Sequence, residues 1–227
     1  MRRHRIYPKG KDWELNSEEE IIQTYRKRSK RYDFTANLYD LIGFRSSYYR
    51  KQSVQELSLQ QGDRVVEIGC GTGLNFALIL RAIGPEGKLL GVDMTDAMLE
   101  RAKKRTEENG WTNVELIQCD AASFNFPKDI DAVISTFALT LSPAFNQVIS
   151  NAADCLKKGK RMVVLDLKRP SGWLEHFFPL FLELTKPFAI SMDYAARHPW
   201  ESFARHFHRT SLTNLYGGFA YIVVGEK

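Results

Sequence analysis

From residue 63 onward, short apolar runs alternate with longer stretches in which apolar residues recur at helical spacing. RVVEIGC (64–70) reads as a buried strand, KLLGVDM (88–94) as a second, and VELIQC (114–119), DAVIST (131–136) and RMVVLDL (161–167) as three further strands. NFALILRAIG (75–84) reads as a helix closed by Gly84-Pro85. TDAMLERAKKRTEENG (95–110) reads as another, with Thr95 or Asp96 near its cap, Ala97, Met98 and Ala102 on its apolar side and Gly110 at its stop. A third helix is expected from about Pro143 to Leu156.

Strands separated by helices require right-handed crossovers and therefore a mostly parallel sheet, wound with helices on both faces. SLTNLY, the pair Gly217-Gly218 and FAYIVVGEK close the chain as an antiparallel hairpin at one sheet edge. The expected class is α/β, a doubly wound, mostly parallel seven-stranded sheet with a C-terminal antiparallel hairpin. Residues 1–60 are expected to form a helical lid or substrate segment. Residues 61–227 form the main domain, with a helical insertion at about 170–210.

Ligands of such sheets bind outside the C-terminal ends of the strands, which directs attention to VVEIGCGTG (65–73). A dinucleotide fingerprint would place its third glycine where Leu74 stands, and no Gly-Lys-Ser/Thr follows to make a Walker loop. The tight glycine triplet Gly69, Gly71, Gly73 with Glu67 before it instead resembles the first motif of the class I S-adenosylmethionine-dependent methyltransferases. Further motifs follow in that family's order: Asp93 ends the second strand, Cys119-Asp120-Ala121 the third, DAVISTFAL matches the fourth motif, and LKKGKRMVVLDL the stretch entering the fifth strand. The match spans roughly residues 60 to 170, and the fold it implies is Rossmann-like.

The resemblance implies S-adenosyl-L-methionine as cofactor and S-adenosyl-L-homocysteine as product. It places Glu67, Gly69, Cys70, Gly71, Thr72, Gly73 and Asn75 around the methionine part, with Asp93 on the two ribose hydroxyls, since a carboxylate accepts two hydrogen bonds at once. Asp120 and Ala121 meet the adenine, Met94 and Met98 pack on ribose or adenine, and Ser135 and Thr136 face the reacting methyl group. Each residue also has a plainer use: glycines permit a turn, strand-end aspartates cap helices, methionines fill cores. Methyl transfer asks chiefly for alignment and desolvation, so no nucleophilic triad or metal cluster is required.

Composition narrows the setting. The chain has 227 residues, 44% of them hydrophobic, a net charge of +5 and three cysteines. Cys70, Cys119 and Cys155 are too scattered for a disulfide framework or zinc site, which favours a reducing, cytoplasmic location. No apolar run reaches the ~18 residues of a membrane span. His198, His206 and His208 lie close together, but no carboxylate pattern completes a metal site, and no metal is expected. Positive charge gathers in Arg2, Arg3, Arg5, Lys9, Lys11 and in RKRSKR (26–31). With Ile21, Ile22 and Tyr25 beside it, the second run suits a helix lying on the inner face of a membrane, a peripheral contact; a solvated helix packed on the core uses the same residues. No nucleic-acid motif accompanies the charge, and no such partner is expected.

The acceptor must be chosen outside the shared core. YDFTANLYDLIGF (32–44) is similar to an element of the quinone-biosynthesis C-methyltransferases and the bacterial phospholipid N-methyltransferases, where it helps cover the cofactor. It offers Tyr32 and Tyr39, with Tyr25, as walls of the methyl site, and with Thr136 these are the candidate catalytic, positioning residues; the same tyrosines also suit a staple holding a lid. SGWLEHFFPLFLELTKPFAI (171–190) is rich in Phe, Leu and Trp but carries charges and two prolines, which excludes a span and fits an acyl or prenyl groove, a membrane-facing lid or a helix on the sheet. The expected acceptor is a small amphiphile. A phospholipid amino head group comes first, a prenylated quinol methylated at carbon is the alternative, and other small molecules or a cofactor-binding module without turnover stay open.

Overall fold

The computed structural model describes residues 18–29, 43–178, 180 and 197–227. Helix α1 (Glu18–Arg28) and helix α2 (Ser46–Glu56) precede the alternating core, β1 (Arg64–Ile68), α3 (Phe76–Ile83), β2 (Lys88–Asp93), α4 (Asp96–Glu108), β3 (Val114–Gln118), β4 (Ile130–Thr136), α5 (Phe145–Cys155) and β5 (Leu156–Leu167). Helix α6 (Pro199–His206) and the strands β6 (Arg209–Leu215) and β7 (Ala220–Glu226) follow. The seven strands form one sheet in the order β3-β2-β1-β4-β5-β7-β6, the first five parallel and β7 antiparallel to both its neighbours. No helix among the described residues is long and apolar enough to cross a membrane.

The continuous apolar runs follow from burial on both faces. Val65, Leu89, Ala132 and Val163 point into one core layer with Phe76, Ile79, Ile83 and Ala102, while their successors Val66, Leu90, Val133 and Val164 point into the other with Val148, Ile149, Phe203 and Phe207. Alternation at period two thus sends adjacent hydrophobic residues to opposite layers. Two boundaries depart from the sequence reading. β5 begins at Leu156, directly after α5, and a register shift between Ile130 and Ala132 absorbs the irregular pairing that includes Gly159. His206 ends α6, and the buried Phe207 separates it from His208. Helix α2, grouped by sequence with the N-terminal segment, contributes Tyr49 and Val54 to the main core. The N-terminal basic residues 2–11 and the middle of the 170–210 insertion lie outside the described residues.

An ionic cluster fastens the end of the sheet remote from the strand C-termini. Asp131 accepts from Lys157 Nζ at 2.8 Å and from the Arg64 N–H at 3.0 Å, and Lys160 Nζ stands 2.8 Å from Asp63 and 3.4 Å from Asp131. Burial pushes the Asp131 carboxyl up, but the Lys157 hydrogen bond, the Arg64 N–H and the charge of Lys160 together hold it below the ordinary range. A carboxyl whose folded value is depressed adds stability above its unfolded value and loses it as pH falls through the folded one. Asp131→Asn is therefore expected to cost about 1 kcal/mol at pH 7, after discounting for solvent around Lys157, and to narrow the gap from wild type below pH 4. Melting curves from pH 3 to 7 check this; a gap that stays constant with pH refutes it.

Candidate functional site

The glycine loop is built by what crowds it. Gly69 has φ +64°, and a Cβ there would stand 2.2 Å from the Cβ of Ala138, so the backbone after β1 lies against the backbone after β4. Gly71 has φ +54°, and nothing lies within 4 Å of where its Cβ would be, because that position opens into a cleft. The loop is held from β2: Asp93 Oδ2 accepts from the Gly71 N–H at 2.9 Å and Asp93 Oδ1 from the Thr95 N–H at 2.8 Å. Arg105 Nε of α4 donates to the Thr72 carbonyl at 2.8 Å.

The cleft lies at the C-terminal strand ends and opens to solvent. Its β2–β3 side is formed by Asp93, Met94, Met98, Asp120 and Ala121; its β4 side by Thr136, Phe137, Ala138, Leu139 and Leu141. Of the residues singled out by sequence, Gly69, Gly71, Asp93, Met94, Met98, Asp120, Ala121 and Thr136 line it. Glu67, Cys70, Thr72, Asn75 and Ser135 are buried around it without lining it, and Gly73 lies below the loop, its missing Cβ leaving room for the Phe76 ring. Tyr32 and Tyr39 lie outside the described residues. Tyr25 of α1 does reach the cleft, and its neighbour Arg26 forms a two-point ion pair with Asp96, at 2.7 and 3.0 Å. Part of the basic run thus docks α1 on α4.

Beneath the cleft runs a buried polar chain. Asn75 Nδ2 donates to Glu67 Oε1 at 2.6 Å and to Thr136 Oγ1 at 2.9 Å, and Arg50 of α2 donates to Thr136 Oγ1 and, at 3.4 Å, to Asn75 Oδ1. The Arg50 guanidinium also lies 5.0 Å from the centre of the Phe137 ring. Phe137 holds φ +57°, a left-handed conformation costing about 1 kcal/mol or more, secured by its N–H donating to the Leu165 carbonyl at 2.7 Å. The turn Leu139–Leu141 is fixed from both ends, by Asp166 accepting from the Thr140 N–H at 3.0 Å and by Arg197 donating to the Thr140 and Leu141 carbonyls.

Burial raises the Glu67 carboxyl to about 7, against the pull of the Asn75 hydrogen bond and the Arg50 charge. Burial also raises Asp93, opposed by the Thr95 and Gly71 N–H groups. Among the described residues, Glu67 Oε2 and Ser135 Oγ have no hydrogen-bond partner, and no group of three His, Cys, Asp or Glu is placed to hold a metal. Two carboxylates on the β2–β3 side, two thioethers beside them, open space above Gly71 and an orphaned carboxylate oxygen below fit a nucleoside that carries hydroxyls, a flat base and an amino group.

Arg50 escapes motif reading, and Phe137, though inside DAVISTFAL, is not singled out by it; for Arg50 one signal existed. The buried positions of α2 are Ser46, Tyr49, Arg50, Ser53 and Val54, a helical stripe in which arginine occupies an inward position.

Comparison with known proteins agrees with this geometry. Residues 59–188 match the family described as "Methyltransferase domain". The chain is similar to a demethylmenaquinone methyltransferase of Listeria welshimeri, 30% identical over 168 residues covering 72% of this chain and 70% of that one. It is also similar to one of Halalkalibacterium halodurans, 30% identical over 92% of this chain and 93% of that one. In fold it resembles the geranyl diphosphate C-methyltransferase of Streptomyces coelicolor, solved with S-adenosyl-L-homocysteine, at a TM-score of 0.59 and 16% identity over 79% of this chain and 78% of that one.

Proposed function

The chain belongs to the methyltransferase domain family and is a class I S-adenosylmethionine-dependent methyltransferase, and from that premise we propose that it methylates a ring carbon of a prenylated quinol. The observation that carries this reading is the chemistry of the β4 side: Phe137, Ala138, Leu139 and Leu141 surround Thr136, and the carboxylates among the described lining residues belong to the β2–β3 side. A protonated amino head group gives up its hydration only to a carboxylate or an open ring face. Here the Phe137 ring already takes a guanidinium. A flat ring with an apolar tail needs neither.

The relatives named for demethylmenaquinone support the same acceptor. The phospholipid amine expected first from sequence has no comparable support, and the quinol alternative takes its place. The β4 wall continues into aromatic packing: Phe137 packs on Phe44 at 5.8 Å, Phe44 on Tyr216 at 5.3 Å, and Leu174 lies against Gly217. Beyond Leu174, Trp173, Phe177 and Leu180 are 72%, 51% and 60% exposed, a surface suited to meeting a lipid-dissolved acceptor.

S-adenosylmethionine supplies, when bound, a methyl group on a positively charged sulfur. In this reading Asp93 accepts from its ribose hydroxyls, Asp120 and Ala121 meet the adenine, Met94 and Met98 flank the nucleoside, and Gly69 and Gly71 let the backbone approach the amino-acid part. Glu67, Cys70, Thr72, Gly73 and Asn75 support that loop from below and Ser135 from behind. Thr136, with Tyr32 and Tyr39 from the N-terminal segment, borders the acceptor. Given radiolabelled methyl donor and vesicles holding both demethylmenaquinol and phosphatidylethanolamine, the protein is expected to label the quinone fraction. Label confined to the amine lipid overturns the reading.

A further inference from the structure

We propose that Arg50 is a positioning residue that sets the charge of the acceptor: it holds Thr136 and the Phe137 ring on the β4 side and gives that side a positive field that favours a deprotonated ring hydroxyl. The inference rests on the quinol reading for its acceptor but on separate observations for its mechanism. Arg50 is a buried arginine whose guanidinium touches two residues of one wall of the cleft, the Thr136 hydroxyl and the Phe137 ring. Its contacts leave the charge little screened by water, and a unit charge acting across a protein wall at an effective dielectric near 20 shifts a neighbouring ionisation by about one pH unit or more.

Among the described residues, the groups able to cancel that charge are few. Glu67 of β1 and Asp93 at the end of β2 are acidic neighbours of the polar chain, and the Cys70 thiol, raised well above its ordinary value by burial, stays neutral. Glu67 is partly protonated near neutral pH because burial raises it to about 7, so it offsets Arg50 incompletely. Asp93 is turned to the Gly71 and Thr95 N–H groups. The field matters because a neutral phenol ring is a poor carbon nucleophile. Once the hydroxyl has lost its proton to solvent, the ring's electron pair forms the new C–C bond as the C–S pair goes to sulfur; the ring carbon then loses its hydrogen as a proton to water and aromaticity returns.

The test titrates a chromophoric phenol, nitronaphthol, in the complex with S-adenosylhomocysteine, following phenolate absorbance in wild type, Arg50→Lys and Arg50→Met. Melting temperature and S-adenosylhomocysteine affinity are measured alongside to confirm folding. The bound phenol is expected to ionise about one pH unit below its value in water in wild type, to keep most of that shift with lysine and to lose it with methionine. A bound phenol at or above its solution value in wild type, a shift that survives methionine, or no saturable binding each overturns the proposal. If Arg50→Met does not fold, the wild-type and lysine titrations decide it. Quinol turnover without the shift removes this role from Arg50 and leaves the acceptor standing; the shift without quinol turnover does the reverse.

Discussion

Asp93→Ala is expected to weaken S-adenosylmethionine binding by about 2–4 kcal/mol, roughly 30- to 1000-fold in Kd. The carboxylate serves two partners at once. Towards the protein it accepts from the Gly71 and Thr95 N–H groups and so ties the glycine loop to the start of α4. Towards the cleft, in the proposed reading, it accepts from the ribose hydroxyls. Alanine removes both, and the two N–H groups lose a charged partner. Asp93→Asn keeps an acceptor oxygen and is expected to fall between the two. Because burial raises the Asp93 carboxyl, affinity should also decline on acidification sooner than for an ordinary aspartate. Calorimetry with S-adenosylhomocysteine from pH 5 to 8 measures all three effects, and an alanine variant with wild-type affinity would show that Asp93 is not a cofactor ligand.

Gly69→Ala is expected to cost about 2–5 kcal/mol of folding stability and to abolish cofactor binding in the fraction that folds. Two separable penalties contribute. A left-handed backbone at φ +64° costs an L-residue about 1–2 kcal/mol, and the new methyl group would sit 2.2 Å from the Ala138 Cβ, a distance no packing tolerates. The second penalty has a remedy in the sequence, since Ala138→Gly removes the colliding atom. The double variant should recover the collision and keep the strain, a coupling expected for residues in direct contact. Urea unfolding of the two single variants and the double variant measures it. A double variant no more stable than Gly69→Ala alone would mean that strain, and not the approach of the two strand ends, requires the glycine.

What the sequence disclosed and what it hid follow one division. The β2–β3 side of the cleft is legible because most of its residues sit at or just past the end of a strand, after an apolar run that is itself unmistakable: Asp93 and Met94 at the end of β2, Asp120 and Ala121 after β3, as Gly69 and Gly71 stand after β1. The β4 side depends on contacts between distant segments. Thr136 was placed by its motif, but Arg50 reaches it across 86 positions, and the Leu139–Leu141 turn is fixed by Asp166 and Arg197. Arg26 is a similar case, its partner Asp96 standing 70 positions away, so a run of basic residues could not by itself disclose whether it docks on protein or lies on lipid. The Ser135 hydroxyl illustrates the limit of period two: the strand is buried on both faces, so adjacent polar residues near its end differ in access with no difference in composition.

Docking of α1 makes one wall of the cleft sensitive to salt. Tyr25 forms part of the cleft wall while the next residue anchors its helix through an ion pair that faces solvent. An exposed ion pair weakens as salt screens it, so the seating of Tyr25 is expected to loosen as ionic strength rises. The buried contacts of Arg50 and Glu67 do not share that dependence. One wall thus hangs on a solvent-facing arginine and the other on a buried one.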